Sequence, residues 1–411
     1  MRSEDAIGDG PLAGVRVVDL TSMISGPVAT MMLADQGAEV IKVEPPTGDL
    51  VRAMGANRGG VSATFVSANR SKRSMVLDLK TASGLDALKR LVATADVFVQ
   101  NFRPGAIERM GLGEDVLRAV RDDLVYVSIS GFGDTGPYAG KRVYDPVIQA
   151  LSGLAAIQAD ADGRPHMIRT IVPDKLTAVT AAQAITAALF ARERSGRGQH
   201  VRLAMLDAMV AFLWPEGMTG YTFVGREVSA SRAQFAQDLI FETTDGYITA
   251  GAVSDSEWQG MCRALERPEW LADERFATAQ ARIVNVADRL ALTADVLRTR
   301  SSDEWLARLD AEGVPCAPVL SRAEVIEHDQ IVANRLIEEF DHPEGGRIRQ
   351  PRPAARFDAT PARVRGPAPG LGADTEPVLA SLGYTVEQIA ALRTEGVLGA
   401  TGAAGGRLEK G

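Results

Sequence analysis

The sequence predicts an α/β fold in which a large open α/β domain with a mainly parallel sheet is joined to a smaller α+β domain. Two observations carry this expectation. Short β-branched runs alternate with helical stretches from residue 15 to residue 130, the pattern of strands joined by right-handed crossovers. Beyond residue 215 the pattern gives way to Gly217, Gly220 and Gly225 followed by a polar run over 227–237, then to a hairpin signal and several helices. A chain of 411 residues with 45% hydrophobic content has room for two such cores.

Residues 15–20 read V-R-V-V-D-L, a β-branched strand, and S-G-P at 25–27 opens a helix, because proline is favoured in a first turn. That helix stops at Gly37, and E-V-I-K-V at 39–43 is the next strand, which gives a unit of βαβ length. A loop with Pro45, Pro46 and Gly48 leads to a strand at 75–79. An amphipathic helix over 83–95 and strands at 97–100 and 124–130 continue the alternation. In the second part, F-E-T-T-D-G-Y-I-T-A at 241–250 is a hairpin with Asp-Gly at its turn. Helices follow at 256–265, 286–299 and 302–312, and V-P-C-A-P-V at 314–319 closes the small domain. The last part holds a strand at 347–350, short helices at 375–382 and 386–394, and a Gly/Ala-rich tail expected to be disordered.

The stretch 176–191 has no charge and is rich in Ala, Leu and Ile, as expected of a helix buried nearly all round. Its ends are marked: Asp174 follows Pro173 where an N-cap belongs, Arg192 and Arg194 fall at the C-terminal dipole end, and Gly196 is placed to stop it. Two readings of Asp174 stand side by side. One is a cap that satisfies the orphan N–H groups of the first turn. The other is a reactive carboxylate at a positive helix end, among backbone donors that also suit a developing oxyanion.

Composition narrows the function classes. The net charge is −8, from 45 basic and 53 acidic residues with no basic arm, which argues against a nucleic-acid partner. Cys262 and Cys316 are too few and too far apart for a disulfide scaffold or a zinc cluster, and read as free thiols of a reducing cytoplasm. The first ten residues lack an apolar core of signal-peptide length, and the uncharged helix falls short of a membrane span, so a cytoplasmic protein with no membrane partner is expected. His166, His200, His328 and His342 have no metal-ligand spacing, and no G-x-S-x-G elbow occurs. G-F-G-D-T-G at 131–136 matches the dinucleotide fingerprint literally, but P-Y-A-G-K follows where a helix must start.

The run R-E-R-S-G-R-G-Q-H-V from Arg192, followed by L-D-A-M at 206–209, resembles the R-x-x-T-G-x-G-Q-x-V…x-D-A segment of the class III CoA-transferases. That family includes formyl-CoA and carnitine CoA-transferases and the 2-methylacyl-CoA racemases. Y-D-P-V-I-Q-A-L-S-G at 144–153 is similar to its Y-[DE]-x-V-x-Q-x-x-[ST]-G segment, and the order of motifs from F-E-T-T-D-G-Y to V-P-C-A-P-V fits as well. The resemblance runs from Pro11 to about Leu398.

It implies that Asp174 is a nucleophile carried at the head of the uncharged helix. It puts the CoA-contacting loop on Met23, Ile24 and Ser25, with further CoA contacts at Leu77, Lys80, Asn101, Phe102, Arg103, Arg109, Arg142 and Tyr144. Read singly, Leu77 and Phe102 are core residues and Lys80 and Arg109 are surface charges. N-F-R-P-G at 101–105 is more telling, because it lies at the carboxyl end of a strand, where ligands collect in open α/β sheets. Arg70, Lys72 and Arg73 form a second basic cluster that suits CoA phosphates or a solvated face. Pro45 stands where relatives often carry a basic residue, which leaves the adenine side of the site undefined.

The implied reaction moves CoA from an acyl-CoA donor to a free carboxylic acid through an aspartyl anhydride and an aspartyl-CoA thioester, with the CoA thioester as co-substrate and no metal or permanently bound cofactor. A racemase or epimerase of acyl-CoA esters, and a non-catalytic acyl-CoA-binding protein, are the alternatives. The family's topology further implies a flexible start (1–10), a large CoA-binding domain (11–215), a linker (216–240), a small domain (241–320), a return to the large domain (321–398) and a disordered tail (399–411). Two such subunits would thread through each other as an interlocked-ring homodimer.

Overall fold

The computed structural model of the chain describes residues 10–160, 162–225 and 238–399. Nearly all of the expected flexible start, the middle of the expected linker and nearly all of the glycine-rich tail lie outside the described residues. The chain divides into two compact units. One comprises the residues up to Pro215 together with those from Leu336 onward, and the other runs from Glu216 to Arg335.

The first unit is built on six parallel strands. β1 (Arg16–Leu20) leads through α1 (Ser25–Asp35) to β2 (Glu39–Glu44), β3 (Arg73–Val76), α2 (Ala82–Val92), β4 (Val97–Gln100) and β5 (Val125–Ser130). Then come α3 (Asp145–Leu151), α4 (Val172–Ser195), β6 (His200–Ala204) and α5 (Met205–Leu213). The strand order is β3-β2-β1-β4-β5-β6, and every neighbouring pair is parallel. The chain winds outward from β1 to one edge, then crosses back to the other side of β1 to lay down β4. Loops leaving β1 and β4 therefore part in opposite directions and open a crevice at the strands' carboxyl ends, the place where such sheets hold ligands.

Period-two alternation sorts the strand residues into two layers. Val17, Val40, Val97, Val99, Val125 and Val127 are buried with the apolar faces of α1 and α4. Val18, Ile41, Phe98 and Tyr126 lie in the other layer with α2 and with the C-terminal helices Thr375–Ser381 and Val386–Thr394, which add Val378, Leu379, Ile389 and Leu392. Burial on both faces explains why these strands read as continuous apolar runs. Ala29 and Ala34 of α1 and Ala178, Ala181 and Ala182 of α4 are small enough for the two helices to pack closely against each other over the sheet.

Two expectations about α4 are corrected. The helix starts at Val172 with Ile171 at the cap and no side-chain cap bond, so Asp174 belongs to the first turn rather than to the N-cap. Pro173 explains the earlier start, since its fixed φ and missing N–H suit a first-turn position. The helix is also not buried all round: Lys175, Val179, Gln183 and Phe190 form an exposed stripe, with Val179 52% and Phe190 64% accessible. Lack of charge marked a second apolar face, which the single chain leaves open. At the other end Gly196 stops the helix at φ 67°, and its N–H donates to the Arg192 carbonyl at 2.8 Å.

Elsewhere the strand expected at 75–79 sits at Arg73–Val76. The strand expected at 347–350 is the second arm of a hairpin, Ile337–His342 with Gly346–Pro351, whose charged first arm gave no alternation signal. In the second unit Ile240–Glu242, Tyr247–Ala250 and Cys316–Pro318 form an antiparallel sheet. Helices Asp255–Ala264, Val286–Leu297 and Ser302–Ala311 close over a core that includes Trp258, Phe276 and Trp305. This unit continues past the expected residue 320 and takes in the short helices Glu324–Glu327 and Asp329–Ala333.

Candidate active site

The loop that leaves β1 stands on buried charges. Lys42 Nζ donates to the Thr21 carbonyl at 2.8 Å and to Asp49 Oδ2 at 2.9 Å, and Asp49 Oδ1 accepts from the Met23 amide at 3.2 Å. Asp19 accepts from the Thr21 and Thr30 hydroxyls at 2.5 and 2.7 Å and pairs with Lys72 at 2.9 Å. Burial alone would raise the Asp19 carboxyl, but Lys72 and Lys42 hold it well below the usual carboxylate range; burial brings Lys72 down to about 8 against the pull of Asp19. These groups sit at the root of the crevice and hold one loop shape.

Met23 takes a left-handed φ of 69°, uncommon for a side chain of its size. Gly26 follows at a point where an added Cβ would lie 2.4 Å from the Thr21 Cβ, so only glycine permits the close turn. Across the crevice the Ser22 amide donates to Asn101 Oδ1 at 3.0 Å and Asn101 Nδ2 donates to the Ser22 carbonyl at 2.8 Å. The β1 and β4 loops are therefore clamped to each other, and Ser25 is fixed as the first residue of α1.

Asp174 meets Ser25 at this point. The half-buried Asp174 carboxylate faces the hydroxyl and the amide of Ser25, whose polarity favours its ionised form. On its other side is Asp145, buried at the first position of α3, whose Oδ2 accepts from the Asp174 amide at 3.3 Å. Gln149 Nε2 donates to Asp145 Oδ1 at 2.6 Å. Burial first, and then the charge of Asp145, push the Asp174 carboxyl up to about 6, against the Ser25 hydrogen bonds. The result is a carboxylate more basic than a free one and still ionised at neutral pH, which suits a nucleophile.

The other expected site residues fall into distinct settings. Ile24 is half-buried and packs with Met23 against Val51 and Phe65. Leu77 is wholly buried in the core and Phe102 packs against that core from the rim. Lys80, Arg103, Arg109 and Arg142 are exposed, and Tyr144 is 68% exposed at the cap of α3. The second basic cluster is a correction: Arg70 pairs with Asp35, Lys72 with Asp19, and Arg73 with Glu39 and Asp374, so all three are committed to partners inside the unit. Asp145 and Gln149 both lie in the 144–153 segment that the sequence matches to the family, and their four-residue spacing puts them on one helix face. A cavity of about 220 Å³ lined by Gln100, Arg103, Ser128, His200 and Arg202 opens on the opposite side of the sheet from α4, and Asp174 takes no part in it.

A doubly wound parallel sheet with a polar, clamped crevice at its switch point and a basic carboxylate at a helix head defines an α/β enzyme of ligand-binding type. The chain belongs to CoA-transferase family III, whose family profile matches residues 12–375, and it is a class III CoA-transferase. It is 36% identical over 392 residues to the succinate–glutarate CoA-transferase of Agrobacterium fabrum, covering 92% of this chain and 97% of that protein. It is 38% identical over 347 residues to the succinyl-CoA:mesaconate CoA-transferase of Haloarcula hispanica, covering 81% of this chain and 86% of the relative. Among solved structures, a CaiB/BaiF family protein of Brucella suis aligns with a TM-score of 0.80 at 33% identity, covering 91% of this chain and 100% of that one.

Proposed function

We propose that the enzyme moves CoA between a short dicarboxylic acyl-CoA and a free dicarboxylic acid, with Asp174 as covalent nucleophile. The observation that supports this most is the half-buried Asp174 carboxylate, set beside Ser25 and raised in basicity by burial and Asp145. The acid class is drawn from the relatives named for succinate, glutarate and mesaconate. Asp174 attacks the thioester carbonyl of the donor, the C–S bond breaks, and a mixed anhydride and CoA thiolate result. The thiolate then attacks the aspartyl carbonyl, which releases the donor's acid and leaves an aspartyl-CoA thioester. An acceptor carboxylate attacks that thioester to form a second anhydride, and the thiolate takes the new acyl group while Asp174 returns as a carboxylate. No net proton is consumed. The Ser25 amide and hydroxyl are placed to receive charge that develops on the aspartyl oxygen.

In this reading CoA runs along the carboxyl ends of β3 and β4, past the backbone of Met23 and Ile24 and the side of Phe102. Exposed Lys80, Arg103, Arg109 and Arg142 answer its phosphates, and Leu77 offers only its backbone. Tyr144 borders the acyl end. Two copies thread together as a homodimer in the cytoplasm, in support of which stand the exposed Val179 and Phe190 of α4 and Phe212 and Trp214 at the end of α5. Sedimentation at nanomolar concentration would show a dimer, and a monomer there would count against threading. The nucleophile is tested by incubating the enzyme with succinyl-CoA and then hydroxylamine, which should modify Asp174 alone, while Asp174→Ala should fold and lose transfer. Substantial transfer by that variant would overturn the assignment.

A further inference from the structure

We infer that Gln149 is a positioning residue of the transfer reaction, the group that keeps the Asp145 carboxylate and the 168–170 segment in register with the head of α4. The inference rests on Asp174 being the nucleophile.

Gln149 is 2% exposed and uses both ends of its amide. Nε2 donates to Asp145 Oδ1 at 2.6 Å and also faces the carbonyls of Ile168 and Thr170 at 3.2 and 3.3 Å. Oε1 accepts from the Ile168 amide at 3.0 Å. Only a carboxamide donates and accepts in this way: a glutamate in its place would offer no donor, and an aliphatic residue would offer neither. One side chain thus joins α3, the segment that leads into α4, and the carboxylate that meets the Asp174 amide. Removing it takes the shortest hydrogen bond from Asp145 and the side-chain donor from the part-buried Ile168 carbonyl, while the Thr170 carbonyl still accepts from the Val172 amide at 2.9 Å.

The effect reaches the nucleophile through a short list of charges. α3 presents Asp145 to Asp174, and α1 presents only the hydroxyl and amide of Ser25. On α4 itself Lys175 is tied to the Thr170 hydroxyl at 2.9 Å. Asp207 on α5 is exposed, and His200 and Arg202 of β6 line the cavity on the other side of the sheet. Asp145 is therefore the charge through which Gln149 acts. When that carboxylate is no longer held in place, its charge retreats from Asp174, and the nucleophile both shifts and ionises more readily.

The test uses the full chain with succinyl-CoA and glutarate, and compares wild type with Gln149→Leu, Gln149→Asn, Asp145→Asn and Asp174→Ala. Gln149→Leu should lower kcat about 100-fold, the scale of a displacement of about 1 Å in a reacting group. The acid limb of its kcat/KM profile should move to lower pH, in the same direction as that of Asp145→Asn. Gln149→Asn keeps an amide too short to reach every partner and should lie between, which keeps the test open if the leucine variant fails to fold. Acid limbs that stay at the wild-type position in both Gln149 variants, whatever their rates, would overturn the inference. Transfer surviving in Asp174→Ala would instead defeat the nucleophile itself, so the two failures are distinct.

Discussion

Replacing Asp174 with Asn should abolish transfer and at the same time stabilise the fold. The carboxyl of Asp174 is raised from 3.8 to about 6, so ionising it in the folded state costs free energy that the unfolded chain does not bear. About two pKa units at about 1.4 kcal/mol each give a ceiling of ~3 kcal/mol. Half-burial and solvent screening bring the expected gain to about 1–2 kcal/mol. The sign with pH follows from the raised value. Above pH 6 the wild-type carboxylate is charged and the full penalty is present; as pH falls from 6 towards 4 the group binds its proton in the folded state and the penalty fades. Asparagine keeps an oxygen for the Ser25 donors and carries no charge at any pH, so its advantage should be largest at pH 8 and nearly gone at pH 4. Denaturant midpoints of the two proteins at those pH values measure the difference. A variant less stable than wild type at pH 8, or a gap that does not change between pH 8 and pH 4, would refute the reasoning.

Two further substitutions probe the base of the crevice. Lys72→Met removes the partner of a wholly buried Asp19 and should cost about 3–5 kcal/mol in thermal or chemical unfolding, the range for a buried pair broken on one side; a loss under about 1 kcal/mol would mean that Asp19 is compensated by Lys42 alone. Gly26→Ala drives a Cβ into Thr21 and should displace Ser25, with a fall in kcat for succinyl-CoA turnover at least as large as the rise in KM; unchanged kinetics would show that the loop yields without moving Ser25.

The parallel sheet was legible because its strands are buried on both faces and read as β-branched runs between helical stretches. Gly196 was legible as a helix stop because a left-handed residue after a basic last turn has few other uses. What the sequence does not carry is mostly three-dimensional. Asp145 and Gln149 belong to α3 and Asp174 to α4, and nothing local says that one carboxylate faces the other's amide. The cluster Arg70, Lys72 and Arg73 looked like a surface patch because three cations close in sequence repel one another in a solvated chain. The fold answers each with its own carboxylate from β1, α1, β2 or the C-terminal segment, partners up to 301 positions away. The start of α4 follows Pro173 and not the capping preference of Asp174. Its exposed stripe escaped because an uncharged helix face looks the same whether its cover comes from its own chain or from elsewhere.

Proton exchange separates transferase from racemase at this site. Inverting the carbon next to a thioester carbonyl needs one base on each face of that carbon, each able to take and return a proton. The resemblance to the 2-methylacyl-CoA racemases implies that a racemase of this fold would need a histidine at the position of Tyr144, paired with the aspartate at the position of Asp174. Here that residue is a phenol without the ring nitrogen that takes the proton, and it lies 68% exposed at the cap of α3. The neighbouring carboxylate does not fill the gap, because Asp145 is buried with one oxygen held by Gln149 and the other by the Asp174 amide. In the proposed reaction only one basic carboxylate, Asp174, would face the acyl group, which is enough for attack at the carbonyl carbon and too little for two-base inversion. A 2-methylacyl-CoA incubated with the enzyme in deuterated water should keep its α-hydrogen, while succinyl-CoA with glutarate gives transfer. Rapid deuterium incorporation at the α-carbon, without CoA transfer to any acid tested, would mean that Tyr144 or Asp145 reaches the substrate as a base and that the covalent route through Asp174 is wrong.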